Sequence, residues 1–179
     1  MPTLPRGLQT LTRLVRALTV LGAALLCLVP TLFWLTPDWV RAKGPQMAGL
    51  GDHPFVIDDR ALAFGALGSL PAIALGLYAL WQLWQLFGEY REGRVFSPLA
   101  QQLLRRFAWA MLAAALLAQF QRAWVGIVLT LGNPPGQRLL VIELSWNDYV
   151  SILSGAVLLA IATVMAEAVR LAEENESFV

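Results

Sequence analysis

The sequence predicts an all-α membrane protein with four transmembrane helices, and three observations carry that prediction. The chain of 179 residues is 58% hydrophobic and 14% charged, whereas about a quarter of the residues in a soluble domain are charged. Uncharged runs occupy residues 17–37, 61–88, 107–121 and 149–166, and about 20 apolar residues suffice to cross a hydrocarbon core as a helix. The seven tryptophans stand near the ends of those runs, where indole rings settle in a bilayer. One membrane domain over residues 1–179 is expected, with spans near 17–37, 61–88, 107–131 and 149–166.

Arg6, Arg13 and Arg16 precede the first run. A basic start before an apolar stretch also describes a signal peptide, but no small-x-small cleavage site follows, since Phe33, Trp34 and Leu35 stand there. Leu26 before Cys27 likewise spoils a lipoprotein cleavage box, so an uncleaved span is expected. Thr36 to Arg60 is polar and reads as irregular, broken at Gly44-Pro45, Gly49, Gly51 and His53-Pro54. In the second span Pro71 predicts a kink. Gly65 with Ser69, and Gly68 with Ala72 and Gly76, predict close approach of another helix.

Glu89 to Arg106 is a basic, turn-rich break between two spans. Gly93 permits a turn, Ser97 suits an N-cap and Pro98 the first helical position, so a helix should start there and continue into the third span. Ala110, Ala114 and Ala118 make a small-residue stripe along it. Gly132-Asn133-Pro134-Pro135-Gly136 ends that span. Beyond it, Leu140, Ile142, Leu144 and Trp146 alternate with Val141, Glu143 and Ser145, which predicts a short extracytoplasmic strand or a flap on the bundle. The fourth helix should extend past its apolar run, with Glu167, Arg170 and Glu174 paired on one face.

Four spans put both termini on one side with the Glu89–Arg106 loop. That side holds eight basic residues and the other four, with Arg122 left inside the third span. The positive-inside rule then makes the richer side cytoplasmic. Trp34, Trp39, Trp124 and Trp146 fall at the outer ends of spans, and Trp81, Trp84 and Trp109 at the inner ends.

The chemistry on offer is sparse. One cysteine and one histidine exclude an intrachain disulfide and any metal site needing two histidines. No serine-histidine-acid set, phosphate-binding glycine loop or paired-carboxylate motif is visible, so no enzymatic activity, cofactor, metal or direct nucleic-acid binding is expected. His53 with Asp52, Asp58 and Asp59 fits a solvated loop better than a metal site. Gln82 and Gln85 fit interhelical hydrogen bonding. Arg122 is the candidate intramembrane polar residue. It either snorkels to the outer interface or pairs with Glu143 or Asp148. The inner loop and the tail could together form a docking surface from Gly93, Val95, Phe96, Leu171, Glu173, Glu174 and Phe178.

Two segments carry a family resemblance: Gly93-Arg94-Val95-Phe96-Ser97 after the second span, and Glu167 to Asn175 closing on Phe178-Val179. From the first span to the end the chain resembles an uncharacterised bacterial four-helix membrane family, domain of unknown function 2975. The first loop, with His53, takes no role from the resemblance. It implies the bacterial inner membrane and a cytoplasmic partner, a helix-turn-helix regulator of the phage-repressor type. The expected function is therefore a membrane-embedded regulatory or sensing protein. The alternatives are a small-molecule or peptide permeation or resistance protein, and a structural subunit of a membrane assembly. Membrane lipid is a partner in each case, and a homo-oligomer is a further candidate.

Overall fold

The structure is a computed structural model that describes residues 6–176, with side chains described for residues 10–172 and 174. Five helices follow in chain order: α1 (Arg6–Leu35), α2 (Pro37–Met47), α3 (Asp59–Arg91), α4 (Pro98–Thr130) and α5 (Trp146–Glu176). Four of them, α1, α3, α4 and α5, are long and apolar enough to cross a membrane. At 1.5 Å per residue, the 33 residues of α3 make a rod about 50 Å long, so its charged ends project beyond a hydrocarbon core.

The long helices form a row in which α1 packs on α3, α3 on α4 and α4 on α5, while α2 bridges α1 and α4. Direction alternates along the row. Arg16 near the start of α1 lies 3.8 Å over the Trp84 ring near the end of α3. At the other end, Trp34 of α1 donates to Ser69 of α3, and Trp124 of α4 donates to the Phe64 carbonyl of α3. Residues 6 and 176 therefore lie at one end with the Glu92–Ser97 turn, called here the terminal end. The opposite end, called the α2 end, holds α2 and residues 131–145.

The helices bury little of themselves. Only 17% of the most apolar window of α1 and 11% of that of α5 is buried. Exposed apolar surface on this scale far exceeds what a soluble monomer presents, and lipid chains are the solvent that accommodates it.

The small residues of α3 let the neighbouring helices pack into it, as expected, by receiving side chains rather than backbone. Gly65 and Gly68 receive the indole rings of Trp34 and Trp124, and Gly76 receives the Leu26 side chain. A Cβ at either of the first two glycines would stand inside an indole. Once seated, Trp34 donates to Ser69 Oγ at 2.9 Å, Ser69 donates to the Gly65 carbonyl at 3.0 Å, and Gln121 Nε2 donates to Ser69 at 3.3 Å. These bonds tie α1, α3 and α4 together where water is scarce. Close approach of two backbones occurs instead between α4 and α5, where a Cβ on Gly155 would lie 2.9 Å from Leu112 Cα.

The first loop is not irregular throughout, because α2 forms within it. Thr36 precedes the helix in extended conformation, Pro37 opens it and Asp38 sits in its first turn. These features favour a helix start. Gly44-Pro45 does not break it. Gly44 is buried against Leu129 of α4, with 3.0 Å between a built Cβ and Leu129 Cδ1, and Pro45 falls in the last turn. Val40 joins Phe33, Trp34, Ala48, Leu50, Val125 and Leu129 in a core that caps the α2 end. Burial of that apolar face outweighs the weak helix propensity of a glycine-proline pair.

No strand forms among the described residues. The Arg138–Ser145 segment is irregular, with Leu139 and Val141 against the capping core and Leu140, Ile142 and Leu144 exposed, as is Trp146 at the start of α5. Its period of two has no ladder partner. It comes from one stretch laid on an apolar floor, held by the Leu139 N–H donating to Thr130 Oγ1 at 3.2 Å. Asn133 ties the two loops together by donating to the carbonyls of Pro54 (2.6 Å) and Gln137 (3.1 Å). Helix α4 begins where expected: Gly93 has φ +80°, and Ser97 Oγ accepts from the Ala100 N–H at 3.1 Å.

Candidate functional site

Two polar centres stand at opposite ends of the α4–α5 pair. At the α2 end, Arg122 of α4 forms an ion pair with Asp148 in the first turn of α5. Arg122 Nη2 also donates to Gln119 Oε1 at 2.7 Å. Asp148 Oδ2 accepts from the Ser145 N–H at 2.7 Å and from Ser145 Oγ at 2.6 Å, while Ser145 Oγ lies 3.3 Å from the Asp148 N–H. Ser145 and Asp148 thus form a reciprocal capping box that starts α5. A carboxylate in that first turn also lies at the positive end of the helix dipole. Of the two acids the sequence offers to Arg122, the structure selects Asp148. Glu143 instead lines a neighbouring cavity of about 140 Å³ with Gln46, Gly49, Gln119, Arg122 and Ser145.

Two of the first-loop candidates have partners within the protein. Asp58 Oδ1 accepts from the Ala61 N–H at 2.7 Å and caps α3, and His53 Nε2 lies 3.0 Å from the Gln137 carbonyl. Among the described residues, no group of three or more histidine, cysteine, aspartate or glutamate side chains is placed to hold a metal ion.

At the terminal end the loop folds on itself. Arg94 forks onto Glu89 with two bonds of 2.7 Å and reaches Glu92 at 2.5 Å. These carboxylates hold its guanidinium pKa above the ordinary arginine value. Arg91, Arg105 and Arg106 are exposed and form no ion pair with a described residue. Arg170 is held within α5 by Glu167 and Glu174, the pairs that the spacing predicts. Arg94 and Arg170 are therefore each satisfied within their own segment.

The start of α4 and the end of α5 nevertheless meet. Pro98, Leu99, Gln102 and Arg105 face Ala166, Val169 and Arg170 across a groove of about 450 Å³. Of the candidate docking residues, Gly93, Phe96, Leu171 and Glu174 are exposed and Val95 is half-buried. The Glu173 side chain and Phe178 lie outside the described residues. Sequence reasoning missed Leu99, Gln102, Val169 and the other groove-lining positions as a set, because no local pattern reports which turns of two helices face each other. The Ser145–Asp148 box was open to discovery, since serine followed three residues later by an acid before an apolar run is a helix-start signature.

Four apolar antiparallel helices with charged ends and lipid-compatible flanks define a multi-pass helical membrane protein. A family model described as a protein of unknown function, DUF2975, matches residues 39–179, and the chain belongs to that family. The match starts inside α2, so it omits α1 and includes the first loop with His53, whereas the resemblance in the motifs was expected to start at the first span. No curated protein and no solved structure matches the chain.

Proposed function

We propose that this chain is a membrane-embedded regulatory protein that senses a condition at the α2 end and holds a soluble partner at the terminal end. The observation that carries the reading is that α4 and α5 alone supply both centres, the Arg122–Asp148 pair and the groove beside Arg105 and Val169. Between them Gly155 of α5 lies close against the Leu112 backbone of α4. Seven residues separate Asp148 from Gly155, about 10 Å of helix, and fifteen separate Gly155 from Arg170, about 22 Å. A rigid α5 rocking on that contact would about double, at the groove, a displacement made at Asp148. Any condition that weakens the pair would then reshape the groove.

The eight-to-four distribution of basic residues supports a cytoplasmic terminal end. The proposed partner is the helix-turn-helix regulator that the family resemblance implies. Glu173, Glu174 and Glu176 give the tail a charge suited to a basic DNA-binding surface, where it would compete with phosphate. The test is co-purification of the full-length protein with such a regulator encoded beside it. Deleting residues 173–179 should leave the spans inserted and abolish capture, and Phe96→Ala should weaken capture less. A truncated protein that still captures the regulator would contradict the proposal.

One observation favours a second reading, the handling of a small apolar molecule. Phe33, Trp34, Trp39, Met47 and Val125 line a cleft of about 410 Å³, with Lys43 among its walls. Flux of an apolar cation or a short peptide through liposomes holding the purified protein would favour this reading over the first.

A further inference from the structure

Helix α1 carries leucine at 11, 14, 18, 21, 25, 28, 32 and 35, alternating steps of three and four residues without a break. All eight side chains are exposed, from 49% at Leu25 to 73% at Leu35. The opposite side of α1 is the one that packs on α3, through Arg16 on Trp84, Gly22 beside Leu80, Leu26 at Gly76 and Trp34 on Ser69. Pro30 lines the cleft between α1 and α3, which Thr31 and Leu35 border at the end of the helix. As the outermost helix of the row, α1 presents the leucine face outward.

A straight helix repeats every 3.6 residues, so a stripe with a 3.5-residue period drifts by about 20° per heptad. Lipid chains impose no such period on the residues they touch. A second helix does, because left-handed supercoiling keeps a seam of that period in contact along its length. Thr10, Ala17, Ala24 and Thr31 flank the seam at seven-residue intervals. Small residues placed so let two helices approach closely within a membrane.

We propose that α1 is a dimerisation helix, and that two copies of this chain pair through the Leu11–Leu35 seam. Both copies insert in the same orientation, so the pair is parallel and each leucine meets its own counterpart across a two-fold axis along the membrane normal. The α3–α4–α5 portion of each copy then stands on the far side of α1 from the interface, which leaves the groove beside Arg105 and Val169 accessible in both.

The experiment is a cysteine scan of residues 17–29 in the full-length protein, each position tested singly on a Cys27→Ala background and oxidised in intact membranes. Disulfide-linked dimer should peak at positions 18, 21, 25 and 28 and fall to a minimum at positions 19, 22 and 26, which face α3. Wild-type Cys27, off the seam, should cross-link less than Leu25→Cys or Leu28→Cys. Because each variant changes one side chain, misfolding of a single variant leaves the periodicity readable from the others. A flat profile, a maximum on another face, or cross-linking at 25 and 28 no stronger than at Cys27 would overturn the proposal and leave lipid alone on this face.

Discussion

The Arg122 guanidinium on α4 grips the Asp148 carboxylate in the first turn of α5, and the same carboxylate caps that turn through Ser145. One side chain therefore both starts the last helix and fastens it to its neighbour. Asp148 is 11% exposed at its side chain and Arg122 is 37% exposed, so the acid is the more enclosed partner.

Asp148→Asn should weaken this fastening while leaving a helix-capping oxygen. The lost charge leaves Arg122 without its anionic partner, so the variant should melt earlier than wild type. Arg122→Lys should lose less, because an ammonium keeps the charge and has donors for the Gln119 and Asp148 acceptors that Nη2 alone now serves. Thermal unfolding in detergent checks both variants, and unchanged melting in both would mean the pair adds nothing to stability.

Gly68→Ala and Gly155→Ala test the two kinds of close contact. The first places a methyl group where the Trp124 ring sits, and the second presses one onto the Leu112 backbone. Overpacking of this sort costs about 1–3 kcal/mol. Both variants should melt earlier than wild type, whereas Gly88→Ala, with open space around the built Cβ, should not.

Much of the architecture was legible because membrane helices announce themselves through charge-free length. The four spans, the Ser97 cap and the Glu167–Arg170–Glu174 pairs follow from local composition and spacing, and the structure has them. Helix α2 was not legible, because its Gly44-Pro45 pair is a breaker by propensity and becomes acceptable only when Leu129 arrives from α4 to fill the space beside Gly44. The alternation after Arg138 suggested a strand because a period of two describes any extended stretch with one buried side. The groove residues were hidden for a related reason: Leu99 and Val169 are far apart in sequence and meet across one groove only because α4 and α5 run antiparallel.

Sidedness is tested with cysteines on a Cys27→Ala background. Ile142 is 77% exposed at the α2 end and Phe96 is 64% exposed at the terminal end. An impermeant thiol reagent added to intact cells should label Ile142→Cys and spare Phe96→Cys until the membrane is opened. The reverse pattern would place the groove outside and remove the cytoplasmic partner from consideration.

In the proposed mechanism α4 and α5 couple the Arg122–Asp148 pair to the groove at the terminal end. Its most direct test is a distance distribution between spin labels at Gln102 and Val169, measured by electron double resonance on the full-length protein in lipid nanodiscs. A narrow distribution is expected in the otherwise unchanged protein and a shifted or broadened one after Asp148→Asn, although the substitution lies at the far end of α5. Identical distributions in the two proteins, with Asp148→Asn shown to melt earlier, would contradict it.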